Sequence, residues 1–332
     1  MPMKEVVVIT GASAGIGRAL ARRFARDGAD IALLARGGIG LEAAAEEVTE
    51  LGGRPLVIQV DVSDPDAVEA AARRIEEELG PIDIWINNAA VMLYGAVQDL
   101  SPAELRQVSD INYHGAVWGT MAALKRMRER GRGTIVQVGS GAAYRGIPWM
   151  SAYSAAKHAL RAFSEALRAE LIHDRIDVHL TQVHLSSINT PLYTWARNHL
   201  PRQAAPIPPI YEPELAAETI HWAAHARRRE VFFGWTAIGA SAINKLAPGL
   251  VDRFLARVGY EAQQTSEPVP PDHIDNLFGP VEGDVGTRGE FEARAQDRAP
   301  LVQLLARLGV GGLRVAALGV TLVALARAGK RD

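Results

Sequence analysis

The chain has 332 residues, more than the roughly 100–200 of an ordinary domain, so one large domain with extra segments is expected. Its 48% hydrophobic and 22% charged residues exclude a disordered chain and supply enough apolar surface for a sizeable core. A net charge of -2 gives no field favouring nucleic acid, and the absence of cysteine excludes disulfides, thiolate zinc sites and cysteine nucleophiles.

Met1 to Thr10 is a Val/Ile run without the longer apolar stretch and cleavage site of a signal peptide, so a cytoplasmic location is expected. Short Val/Ile-rich runs then alternate with long Ala/Leu/Arg/Glu stretches of helical period, the signature of repeated βαβ units. Strands are predicted at Val6 to Thr10, Asp30 to Arg36, Pro55 to Val60, Ile82 to Asn87, Gly133 to Gly139 and Asp177 to Val183, with a seventh at Glu230 to Gly234. Runs such as VVVIT and IALLA are continuous rather than alternating, as strands covered on both faces are. The fold class predicted is α/β, a doubly wound parallel sheet of about seven strands.

The first strand runs into Thr10-Gly11-Ala12-Ser13-Ala14-Gly15-Ile16-Gly17, which opens a helix. Gly11 suits the tight exit from the strand, Gly15 a close approach of backbone to phosphates, and Gly17 close packing of helix on sheet. The free N–H groups and positive dipole of the helix start then suit a dinucleotide pyrophosphate, with Ser13, Ala14 and Ile16 completing the turn. At the end of the second strand, where a carboxylate would grip a free adenosine ribose, stands Arg36. An arginine there can pair with a 2′-phosphate, so NADP(H) is expected over NAD(H).

Further along come Asp61-Val62, Asn87-Asn88-Ala89-Ala90, Asn112 in a helix starting near Ser101 and Pro102, Ser140 at the end of the fifth strand, and Tyr153-Ser154-Ala155-Ala156-Lys157. In order and spacing, this set resembles the short-chain dehydrogenase/reductase family, over residues 4 to about 260. One of only five lysines in the chain falls in the YxxxK pair.

Hydride transfer from a nicotinamide to a carbonyl leaves negative charge on oxygen, so proton and hydrogen-bond donors are needed there. Tyr153 can supply the proton. Lys157, one helical turn later on the same face, is expected to lower the phenol's pKa from its ordinary value near 10. Ser140 would hydrogen-bond the substrate oxygen at the C-terminal edge of the sheet. The resemblance further implies that Lys157 holds the nicotinamide ribose, that Asn112 holds a water in a proton relay to Lys157, that Asp61 meets the adenine beside Val62, and that Asn88 fixes the sheet near the coenzyme. Asp61, followed by Ser63 and Asp64, also suits helix capping. Ala90 stands where the family commonly has glycine.

After the sixth strand, Leu185-Ser186-Ser187-Ile188-Asn189-Thr190-Pro191 takes the place of the family's Pro-Gly segment and lacks both residues, while Ile188 and Thr190 keep the positions expected at the carboxamide. Five prolines between Asn198 and Pro213 predict an irregular loop over a pocket. Ala142, Ile147, Trp149, Leu185, Leu192, Tyr193 and Trp195 are expected near that pocket and point to a hydrophobic, steroid- or lipid-like carbonyl. His221 and His225 have a metal-compatible spacing without a third ligand, so no metal is expected.

Three regions follow: a catalytic domain over 1–260, a Pro/Gly/acidic linker over 261–300, and an apolar tail helix over 301–332. Leu301 to Ala326 is long enough to span a bilayer, but Arg307 and Arg314 interrupt it at about 2.5–3.5 kcal/mol each at a helix centre. A helix lying in a membrane interface or a short tilted membrane anchor, and a helix packed on the domain or on a dimer partner, are the alternatives. The expected function is an NADP(H)-dependent oxidoreductase interconverting a secondary alcohol and a ketone or aldehyde; the alternative is a non-catalytic NADP(H)-binding sensor or scaffold. The resemblance implies a homo-oligomer, and nucleic acid is not an expected partner.

Overall fold

The computed structural model describes residues 4–237, 239, 244 and 247–308. Seven strands, Val6–Thr10 (β1), Asp30–Ala35 (β2), Arg54–Gln59 (β3), Ile84–Asn87 (β4), Gly133–Ser140 (β5), Val178–Leu185 (β6) and Glu230–Phe233 (β7), form one sheet in the order β7-β6-β5-β4-β1-β2-β3. All its pairings are parallel, so every connection is a crossover, made mainly by helices. The chain winds first towards β3 and then, from β4 onward, the other way. The resulting switch point between β1 and β4 leaves a crevice at the strands' carboxyl ends, where such sheets gather ligands.

Both faces of the sheet are buried, which accounts for the uninterrupted apolar runs. Val7 and Ile9 pack with Leu20, Phe24, Ala216 and Ile220 on one side. Val6 and Val8 pack with Ala72, Ile75, Ala123 and Leu167 on the other. The layers thus comprise helices Gly15–Ala25 (α1), Gly38–Glu50 (α2) and Pro213–His225 (α7) on the first face, and Pro65–Glu78 (α3), Gly115–Arg130 (α5) and Ser151–His173 (α6) on the second. Between α3 and α5 lies Pro102–Ser109 (α4), opened by a capping box in which Ser101 and Glu104 satisfy each other's backbone N–H groups. A single π-helical turn, Asp110–His114, joins α4 to α5. Such turns insert one extra residue and are frequent at functional sites.

A polar knot sits inside the second layer. Asn87 donates to Thr120 Oγ1 at 3.0 Å and to Gln137 Oε1 at 3.1 Å, and accepts from Trp85 Nε1 at 2.8 Å. All four residues are buried.

Residues 261–300, expected as a linker, instead lie against the domain. Gln264–Pro268 pairs antiparallel with Arg202–Ala204, and Ala295–Gln296 pairs with Ile210–Tyr211, which in turn pairs with Ser187–Ile188. The loop from Asn198 to Pro213 is accordingly irregular but stitched at three points. Beyond helix Pro248–Val258 (α8) and this segment, Pro300–Leu308 (α9) buries Val302 and Ala306 in the first-face core and leaves Leu301, Leu304 and Leu308 exposed. The remainder of the predicted tail helix, 309–332, lies outside the described residues. Among the described residues no helix is long and apolar enough to cross a membrane.

Candidate active site

A cavity of about 1120 Å³ runs along the carboxyl edge of the sheet, lined at one end by Gly11, Gly15 and Arg36 and at the other by Ser140, Tyr153 and Tyr193. It exceeds the roughly 300–1,000 Å³ of an ordinary small-molecule pocket, leaving room for a dinucleotide together with a substrate.

The glycine turn leads directly from β1 into α1. Gly11 (φ 68°) and Gly15 (φ 56°) occupy the left-handed region that other residues rarely adopt. A Cβ at Gly17 would overlap the Gly11 carbonyl oxygen and stand 2.7 Å from Asn88 Nδ2, so only glycine lets α1 approach this closely. Asn88 holds the same corner from the other side: its Nδ2 donates to Thr10 O at 2.9 Å, and its own N–H donates to Thr10 Oγ1 at 2.9 Å. Ser13, Ala14 and Ile16 line the cavity with the glycines, as do Ala89 and Ala90, whose extra methyl relative to glycine is accommodated.

Arg36, Asp61 and Val62 line the adjoining wall. Arg36 donates to the carbonyl of Asn276 and, at 3.4 Å, to that of Leu277, while Asp61 Oδ2 lies 3.8 Å away. Burial lowers the guanidinium's pKa and Asp61 opposes this. Asp61 Oδ1 accepts from Ser63 N at 2.9 Å and Ser63 Oγ at 2.7 Å, and Asp64 rather than Asp61 caps α3. One Asp61 oxygen is therefore spent on the turn and one faces the arginine.

At the far end, β5 delivers Ser140 and α6 delivers Tyr153 and Lys157. Lys157 is buried, its Nζ donates to Val138 O at 2.9 Å, and it stands 5.6 Å from the centroid of the Tyr153 ring. Burial pulls its pKa down to about 8. The tyrosine departs from the sequence expectation: burial pushes its pKa up to about 12, opposed by a hydrogen bond from Ser140. Desolvation of the phenolate dominates, and the hydrogen bond of the neighbouring ammonium goes to a carbonyl rather than to the phenol.

Asn112 is buried on the π-helical turn between α4 and α5. Its Oδ1 accepts from Val91 N and its Nδ2 donates to Val91 O, both at 2.8 Å. These two bonds fix the backbone running on from Ala89 and Ala90. Ile188 and Thr190, both buried, line the cavity despite the missing Pro-Gly pair. Their segment is pinned by the Ser187–Ile188 pairing and by Asn189, which donates to Glu212 at 3.3 Å.

Of the apolar residues expected at the pocket, Ala142, Ile147, Leu185, Leu192, Tyr193 and Trp195 line it, whereas Trp149 packs edge-on against Tyr260, their ring centroids 4.6 Å apart. Sequence reasoning missed Met92, Tyr94 and Met150, whose loop, strand-end and helix-cap positions carry no motif, and the contributions of Phe254 on α8 and of Pro280, Val281 and Val285. His221 and His225 pair with Asp27 and Glu5, and among the described residues no cluster of three metal-ligating side chains occurs.

The profile of the short chain dehydrogenase family matches residues 5–199. An uncharacterized oxidoreductase, YxnA of Bacillus subtilis, is 35% identical over 276 residues, 82% of this chain and 78% of that protein. Among solved structures, a short chain dehydrogenase from Mycobacterium paratuberculosis bound to NAD superposes with a TM-score of 0.60 at 28% identity, over 68% of this chain and 94% of that one. An alcohol dehydrogenase from the archaeon Thermococcus sibiricus, complexed with 5-hydroxy-NADP, superposes equally well, also with a TM-score of 0.60 at 28% identity, over 69% of this chain and 95% of that one. The glycine turn, the Ser140, Tyr153 and Lys157 cluster and these likenesses lead to one conclusion: the chain belongs to the short-chain dehydrogenase/reductase family and is an NAD(P)-dependent oxidoreductase.

Proposed function

We propose that the protein interconverts a secondary alcohol and a ketone or aldehyde with NADP(H), acting on a hydrophobic, steroid- or lipid-like substrate. The observation that carries this reading is one continuous cavity in which the glycine turn occupies one end and Ser140, Tyr153 and Lys157 the other. Bound there, the dinucleotide supplies or accepts the hydride.

The chain's own residues do the rest. Gly11, Ser13, Ala14, Gly15, Ile16 and Gly17 cradle the pyrophosphate, with Asp61 and Val62 at the adenine and Asn88, Ala89 and Ala90 along the ribose side. Ile188 and Thr190 hold the carboxamide. A phenol whose pKa stands near 12 remains protonated through the neutral range, which suits Tyr153 as proton donor to a carbonyl oxygen. Ser140 donates a second hydrogen bond to that oxygen, and Lys157, largely an ammonium below its pKa of about 8, places positive charge beside the forming phenolate. Arg36 beside the adenosine end supports NADP(H) over NAD(H). The substrate class rests on Met92, Met150, Leu192, Tyr193 and Phe254 around the catalytic end.

A carbonyl screen followed by NADPH absorbance, with NADH in parallel, tests the reading. Reduction of bulky apolar ketones that disappears in Tyr153→Phe, while NADPH binding persists, is the expected result; full turnover by Tyr153→Phe removes the tyrosine from the mechanism.

A further inference from the structure

The coenzyme crevice of an open parallel sheet is bounded by the loops at the strands' carboxyl ends. Here it has an additional wall from a part of the chain beyond the 5–199 family match. Residues 273–291 leave the substrate end, cross in front of Arg36 and the glycine turn, and rejoin the domain at Asn189. The first anchor is firm. His273 Nε2 bonds Ala196 O at 2.8 Å, Asn276 N–H donates to Trp195 O at 3.0 Å, Asp275 pairs with Arg197 at 2.7 Å, and Leu277 is fully buried. The second anchor is equally defined. Gly289 N–H donates to Asn189 O at 3.3 Å and Phe291 N–H to Asn189 Oδ1 at 3.1 Å.

Between the anchors several contacts fall on groups that line the coenzyme crevice. The carbonyls of Asn276 and Leu277 accept from Arg36. Gly15 N–H, in the first turn of the phosphate-cradling helix, donates to Gly286 O at 3.1 Å. Asp284 pairs with Arg18, which is otherwise held by Glu47 through hydrogen bonds of 3.1 and 3.0 Å. Gly279, Gly283 and Gly286 have open space around them, and Gly283 and Gly286 adopt φ of 106° and 68°, so these three positions contribute no side-chain packing to hold the stretch.

We propose that residues 276–286 are part of the coenzyme site: a strap over the adenosine and pyrophosphate half, latched by Asp284 on Arg18, that holds the coenzyme and sets its release rate. The proposal rests on the dinucleotide reading above. Two features give it mechanical content. Pro280, Val281, Gly283 and Val285 line the same cavity as the glycine turn, so a dinucleotide seated there lies beneath them. The strap's tethers also use Arg36 and the Gly15 N–H, groups that a 2′-phosphate and a pyrophosphate would engage, so coenzyme entry and exit require these tethers to rearrange. Asp284 is the tether whose removal leaves the anchors intact: its side chain is 42% exposed and its one charged partner keeps Glu47.

The test uses the full chain and NADPH alone, without a carbonyl substrate. Stopped-flow fluorescence of NADPH release is compared for the wild type and Asp284→Asn, and amide hydrogen exchange of the wild type is followed with and without NADPH. The expected results are at least five-fold faster release from Asp284→Asn and slowed exchange across 276–286 on NADPH binding. Unchanged release from a folded Asp284→Asn, or exchange across 276–286 indifferent to NADPH, overturns the strap. A wild type that binds neither NADPH nor NADH overturns the dinucleotide reading itself, a result that the strap's failure does not produce.

Discussion

Lys157 Nζ reaches Val138 O at 2.9 Å and stands 5.6 Å from the Tyr153 ring centroid, so the buried amine is held by the sheet and presented alongside the phenol. Such placement has a stability cost. The lysine's pKa in the folded protein is about 8, against an ordinary 10.5, because burial disfavours the ammonium. Below about pH 8 the full penalty acts on the folded state. Between about 8 and 10.5 the unfolded chain binds more protons than the folded one, so this group makes stability rise with pH. The shift corresponds to about 3 kcal/mol, less about 1 kcal/mol for the hydrogen bond to Val138. Lys157→Met is therefore expected to abolish turnover while raising stability at pH 7 by about 1–2 kcal/mol, with the gap over the wild type closing as pH climbs to 10.5. Denaturant unfolding at several pH values measures it; a less stable variant at pH 7 contradicts the account.

The tyrosine has the opposite sign. With its pKa raised from 10 to about 12, Tyr153 stabilises the folded state fully below pH 10 and loses that contribution as pH rises towards 12. For the coenzyme-free protein, tyrosinate absorbance should show one group titrating well above 10 that is absent in Tyr153→Phe. For catalysis, carbonyl reduction uses the protonated phenol and should be flat across neutral pH, whereas alcohol oxidation needs the phenolate and should rise up to about tenfold per pH unit on the alkaline side.

Much of this site was legible because its parts are local. The exit from β1 needs left-handed glycine at Gly11 and the approach of α1 admits no side chain at Gly17, so both requirements appear in the sequence itself. Likewise β1 and β2 are almost wholly apolar runs because both faces of the sheet are covered there. Three features were not legible, each for a physical reason. The strap has no period and few packed side chains; it is recognised through backbone carbonyls on Arg36 and Gly15, and its Pro/Gly/acidic composition reads as a linker. The side-chain hydrogen bonds of Asn112 fall on Val91, a partner that no spacing announces. The direction of Tyr153's shift is set by burial against the Ser140 hydrogen bond, and the YxxxK spacing does not announce the burial.

Gly17→Ala is expected to be severe. Its methyl would collide with the Gly11 carbonyl and stand 2.7 Å from Asn88 Nδ2, so α1 must move off the sheet or the turn must open. A loss of about 2–3 kcal/mol, in the range of overpacked interiors, and at least tenfold weaker NADPH binding should appear together in unfolding and fluorescence titrations. Native stability with native affinity would mean that the close approach is not needed.

The Asn87 knot predicts a purely structural loss. Asn87→Ala leaves Trp85 Nε1 without its acceptor and Gln137 Oε1 without its donor, both inside the core. Each stranded group costs about 1–3 kcal/mol, so a total of about 2–6 kcal/mol is expected by denaturant unfolding. Because Asn87 is not among the residues lining the cavity, the KM for NADPH should change little in the surviving folded protein.

Arg36 allows coenzyme selection to be separated from strap anchoring. Its guanidinium meets the carbonyls of Asn276 and Leu277 and lies 3.8 Å from Asp61 Oδ2. Loss of the strap contacts in Arg36→Ala should weaken NADPH and NADH alike, since neither carbonyl distinguishes them. A 2′-phosphate, present only in NADPH, adds a charge-assisted interaction worth about 1.5–3 kcal/mol, so the NADPH:NADH affinity ratio should fall by roughly 10- to 100-fold beyond the common loss. Asp61→Asn is expected to move the ratio the other way, because it removes a negative charge that competes with the phosphate for the same guanidinium. Fluorescence titration of both coenzymes against the wild type and the two variants reads these ratios directly. Equal losses for both coenzymes in Arg36→Ala would assign the residue to the strap alone and leave the choice between NADP(H) and NAD(H) to other groups in the cleft.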